Sequence, residues 1–122
     1  MDKDNEQRYH IIKDIINTEL VKLIDEGFQP DKSSRDNLLK RVKENIYNKI
    51  PDIKDLKIKC DEENNPPSTV DYSGIAIEAT WPTLTEEYCN MRMMLYYDNG
   101  EPRIIDYSFR SGYGLLWLCS LS

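Results

Sequence analysis

At Pro51 the spacing of apolar residues changes from helical to alternating, and no other feature constrains the fold of this chain as much. Ahead of the break, residues 8–26 place Ile12, Ile15, Ile16, Leu20, Leu23 and Ile24 on one helical face, with Ile11 widening the stripe. Gly27 is expected to adopt the left-handed cap conformation, with Phe28 folding back on the last turn and Pro30 closing the element. A second helix is expected over residues 34–50, opened by Ser33 with Asp36 three residues on as a capping box. Its apolar face is Leu38, Leu39, Val42, Ile46 and Ile50, and Pro51 stops it. Lys40, Arg41 and Lys43 lie off that stripe and are expected in solvent.

Beyond Pro51 the period becomes two. Leu56 to Cys60 alternates strictly, as a half-buried strand does. In residues 73–81, Ile75, Ile77, Ala79 and Trp81 share one face, leaving Ala76, Glu78 and Thr80 on the other. Residues 88–97 likewise align Cys89, Met91, Met93, Leu95 and Tyr97. Asn99-Gly100 is a two-residue hairpin signal, because both positions tolerate positive φ. The returning strand is expected over residues 103–109, with Ile105, Tyr107 and Phe109 sharing a face. The order predicts an α+β fold, in which two N-terminal helices pack on one face of an antiparallel sheet of about four strands. At 122 residues the chain is expected to be a single domain, residues 1–122.

Charge narrows the function classes. The net charge is −6 and the pI about 4.8, against the basic face that nonspecific nucleic-acid binding requires. Residues 1–60 carry 13 Lys and Arg against 12 Asp and Glu, a net of +1. Residues 61–122 carry 3 Arg against 10 acidic residues, a net of −7. That asymmetry suits head-to-tail contacts between copies, although Lys-rich helices beside an acidic sheet produce it equally. The first residues are charged and lack a signal-peptide core, and no stretch has the length of a transmembrane helix. A soluble chain made in the cytoplasm is expected, with no membrane partner.

Nothing in the pattern composes an active site. Cys60, Cys89 and Cys119 are far apart and odd in number, and His10 is the one histidine, placed at the expected start of a helix. Neither a disulfide framework nor a zinc site follows. Asp61, Glu63 and Asn65 alternate as in a calcium loop, but Pro66 stands where the turn needs glycine, and no bidentate Glu follows. Glu86 and Glu87 have no partner base, and Gly112 and Gly114 lack a following Lys-Ser/Thr. Met91, Met93 and Met94 are expected to fill the core or face a strand. No catalysis and no cofactor are expected.

Residues 60–71, Cys60 to Asp71, form a polar stretch dense in Asp, Glu, Asn and Pro, expected to be a turn-rich connector rather than helix or strand. The pattern Cys60-Asp61, Asn64-Asn65, Pro67 and Val70-Asp71, followed by Ile75 and Ile77, resembles a segment in the C-terminal domain of contractile phage-tail sheath proteins. The similarity covers about residues 33–81, including a helix opening near Arg35 and a short strand leading into Cys60. It implies a virion building block whose domain holds subunits to one another and to the tube, through extended terminal arms. Asp61, Asn64, Asn65, Pro67 and Asp71 are thereby candidates for subunit contact. Asn64, Asn65 and Asp71 are also candidates for bracing the connector by side-chain-to-backbone hydrogen bonds.

The departures shape the expectation. The large N-terminal region of a sheath subunit has no counterpart ahead of the first helix, and the sequence after Pro82 does not follow the sheath pattern closely. The expected role is therefore a stand-alone, ring-forming neck, head–tail connector or tail component of a tailed phage. Its partners would be copies of itself and a portal, a tail tube or an adjacent ring. Residues 111–122 are apolar and uncharged, with Tyr113, Leu115, Leu116, Trp117 and Leu118 as docking candidates. They serve either as a last strand or core plug, or as an arm that docks on a neighbour. The competing class is a small intracellular adaptor or binding module, monomeric and without catalysis. An enzyme comes third.

Overall fold

The structure, a computed structural model, describes residues 3–27, 32–63, 74–82 and 88–106. Within them the order is α1 (Lys3–Asp25), α2 (Lys32–Lys49), β1 (Lys57–Glu63), β2 (Gly74–Pro82), β3 (Tyr88–Asp98) and β4 (Glu101–Asp106). The strands form an antiparallel meander in the order β1-β2-β3-β4. The expected α+β architecture is present, with both helices against one sheet face.

The two periodicities explain why those faces meet. From α1 come Tyr9, Ile12, Ile16, Leu20 and Leu23, and from α2 Leu38, Val42 and Ile46, all buried. They cover Ile75, Ile77, Ala79 and Trp81 of β2 and Cys89, Met91, Met93 and Leu95 of β3. Register places Ile77 opposite Met93 and Trp81 opposite Cys89, so the buried set forms contiguous rows across the sheet. Ile58 and Cys60 of β1 and Ile104 of β4 extend those rows towards the edges. Arg8 pairs with Asp52 at 2.8 Å and Lys13 with Asp106 at 2.7 Å, fastening α1 to the turn after α2 and to the end of β4.

The turns follow local chemistry. Gly27 adopts φ 73° after α1, and Asn99 and Gly100 take φ 52° and 82° in the hairpin between β3 and β4. Gly74 has a different reason to be glycine. A Cβ there would press on the Leu95 carbonyl and lie 2.9 Å from the Tyr96 Cβ, so β2 and β3 approach too closely for any side chain. Gly74→Ala is expected to lower stability by about 2 kcal/mol, because strand backbone rather than a flexible side chain must yield. Chemical denaturation checks this, and an unchanged midpoint would refute it.

Several boundaries and faces differ from the sequence reading. Helix α1 starts at Lys3 rather than near residue 8, which places His10 inside the helix instead of at its start. Helix α2 starts at Lys32, so Ser33 lies within its first turn and does not open a capping box with Asp36. Strand β1 runs on through Asp61, Glu62 and Glu63, a stretch expected to be connector. Pairing explains this: the ladder continues opposite Ala76, Ile75 and Gly74, and backbone hydrogen bonding does not depend on side-chain polarity. Strand β4 starts at Glu101, directly after the turn, rather than at Arg103, and Ile104 is its residue packed on the core. Residues 107–109 of the expected strand lie outside the described residues.

Candidate functional site

A concave surface lies between the outer sides of α1 and α2. It is a groove of about 640 Å³ lined by Ile11, Asp14, Ile15, Thr18, Lys22, Asn45, Asn48 and Lys49, with Glu19 at its base. Ile11 and Ile15 are half-buried members of the apolar stripe of α1, packed against the core and lining the groove. Lys22 and Lys49 bring positive charge and Asp14 negative charge to the rim.

Glu19 is the one charged residue buried among the described residues, at 2% exposure. Its Oε1 accepts hydrogen bonds from Asn45 Nδ2 at 3.1 Å and Lys22 Nζ at 3.3 Å. Its Oε2 lies 3.0 Å from Arg41 Nε, within ion-pair distance but not aligned for a hydrogen bond. Arg41, expected in solvent, therefore turns inward to the carboxylate. The physical reason is that a buried carboxylate must be compensated, and α2 supplies an arginine and an asparagine one turn apart. This arrangement clamps the two helices together. With its carboxylate held from three sides, Glu19 is poorly placed to abstract a substrate proton.

Sequence reasoning missed Glu19, although a signal existed. It stands three residues after Ile16 and four before Leu23, on the apolar stripe itself.

Cys60 sits on the helix-facing side of β1, half-buried against the core. Burial pushes its thiol up from the ordinary value of 9.0 to about 12; Arg35 pulls it down, while Asp61 and Asp36 add to the rise. The folded chain therefore holds the Cys60 proton in a range where the unfolded chain releases it. The thiol's contribution to stability is complete below about pH 9 and is lost as pH rises towards 12. Alkylation of Cys60 in the folded protein is expected to be far slower at pH 8 than after unfolding, as read by mass spectrometry. Equal rates would contradict the burial. Cys89 is outside any disulfide and is fully buried in β3. His10 is exposed, 3.8 Å from Glu6 and edge-on to the Tyr9 ring.

Of the candidate residues in the polar stretch, Asp61 is described: it is exposed on β1, opposite Ala76, on the sheet face away from the helices. Asn64, Asn65, Pro67 and Asp71 lie outside the described residues, as do Tyr113, Leu115, Leu116, Trp117 and Leu118. Among the described residues, no group of three or more His, Cys, Asp or Glu could hold a metal ion. No helix there is long and apolar enough to cross a membrane. Comparison with protein-family models, with curated proteins and with solved structures finds no match.

Proposed function

We propose that this chain is a ring-forming structural subunit of a tailed-bacteriophage virion, placed in the neck, the head–tail connector or the tail, and made in the host cytoplasm. The observation that carries the reading is the segment from Cys60 to Asp71 and its resemblance to the sheath C-terminal domain. Its placement adds support. Its first residues, Cys60 to Glu63, form the end of β1, an edge strand with β2 as its one neighbour among the described strands. The free side of such a strand offers backbone N–H and C=O groups to an incoming chain. The division of charge, +1 over residues 1–60 and −7 over residues 61–122, favours contacts between unlike surfaces of successive copies. Portal, tail-tube and adjacent-ring proteins are the other partners this role requires.

Light scattering at low and high protein concentration, followed by negative-stain imaging, tests the proposal. Rings or a concentration-dependent oligomer are the expected outcome. A strict monomer at both concentrations would move the assignment to a second reading, a small monomeric binding module. The groove over Glu19 favours that alternative, since a ring contact through β1 makes no use of it.

A further inference from the structure

The sheet has a second face, turned away from the helices. One end of it is polar: Lys59 and Glu78 pair across β1 and β2 at 3.6 Å, and Asn90 Nδ2 donates to Thr80 Oγ1 at 2.9 Å. The other end carries an apolar row, in which Ala76, Met94 and Ile105 stand opposite one another on β2, β3 and β4. Ala76 is 6% exposed and Met94 2%. Neither belongs to the core beneath the helices, and none of the described helices or strands lies over this row. A methionine on an uncovered sheet face keeps much of its side chain in water, because its in-plane neighbours shield only its flanks. Met94 does not.

We propose that this row is the docking site of the chain's own C-terminal segment, residues 111–122, bound in cis. Strand β4 ends at Asp106, immediately after Ile105, so the chain that carries the segment continues from beside the row. Residues 107–122 can reach about 50 Å when extended, whereas four strands span about 15 Å, so distance sets no limit. The segment is uncharged and brings Leu115, Leu116, Trp117 and Leu118 to the apolar part of a row that ends at Asp61 on β1, so docking over Ala76, Met94 and Ile105 buries apolar surface on both sides. Residues 64–73 also depart beside this row, but they offer only Val70 and Tyr72 among Asn, Pro, Ser, Thr and Asp. A neighbouring copy is not needed to explain the cover, since Met94 is buried within one chain. The inference does not depend on the ring assignment.

The test is fluorine NMR of the full chain labelled with 5-fluorotryptophan. Trp81 and Trp117 give two resonances, assigned with Trp117→Phe. The expected result is a Trp117 resonance with little solvent-isotope shift, which Met94→Arg moves to a solvent-exposed position while Trp81 stays in place. If Met94→Arg also displaces the Trp81 resonance, Ile105→Glu on the half-buried edge strand replaces it. A Trp117 already exposed in the unaltered chain would overturn the inference, as would one unmoved while Trp81 is intact. Loss of Trp117 burial on dilution would overturn docking in cis and assign the segment to a neighbouring copy.

Discussion

Trp81→Ala is expected to remove about 3–5 kcal/mol of folding stability, a large part of what a chain this size possesses. Trp81 is fully buried on the helix-facing side of β2, opposite Cys89. It is the largest side chain of the core, so truncation forfeits apolar transfer energy and leaves a cavity that a four-stranded sheet pinned by two helices closes poorly. Trp81→Phe is expected to behave differently. The indole Nε1 is buried with no hydrogen-bond partner among the described residues, so phenylalanine removes a desolvated donor along with part of the ring. The loss of volume and the relief of that donor oppose each other, and the expected net cost is about 1 kcal/mol. Urea denaturation of both variants checks the pair of values, with the slope held constant as the sign of an unchanged fold. Both variants lose the indole N–H, so equal costs for Ala and Phe would contradict the cavity argument.

Glu19→Ala is expected to cost about 2–3 kcal/mol, unusual for a polar residue on a helix. The carboxylate is the common partner of Asn45, Lys22 and Arg41, so its removal strands several donors at once. Arg41 sets the upper bound. Its Nε and Nη2 are buried, but its side chain is 38% exposed as a whole, so water recovers part of its solvation. Replacing both ends of the pair, Glu19→Leu with Arg41→Met, is expected to restore much of the loss, since no charge then remains to be compensated. A double-mutant cycle measures this coupling. Additive effects would show that the clamp acts through packing alone.

The α+β architecture was legible because period and punctuation agreed. Pro51 separates two regimes, and the alternation of Ile75 to Trp81 and of Cys89 to Tyr97 specifies which sheet face is buried. The Asn99-Gly100 turn then fixes the register of β4 on β3, pairing Asp98 with Glu101. Local signals failed where long-range pairing overrode them. Asp61, Glu62 and Glu63 read as connector by composition, yet the ladder to β2 extends through them. Ile104 and Ile105 were interchangeable by hydropathy, and the turn geometry decided which one faces the helices.

The candidate site was less legible than the fold. Arg41 lies off the apolar stripe of its own helix, and nothing local to α2 indicates a buried carboxylate on α1, 22 positions earlier. Asp61 is the one member of the proposed contact set that lies among the described residues, where it stands exposed at the end of an edge strand.

By itself the sequence determined the element types, their order, the buried faces of the central strands and the hairpin, because these depend on periodicity and on backbone preferences within a few residues. Tertiary structure decided the inward turn of Arg41, the close approach that requires Gly74, the raised Cys60 thiol and the burial of Met94 on the far face. Each of these depends on what a second element places within a few ångströms, and residue spacing along one chain carries no measure of that distance.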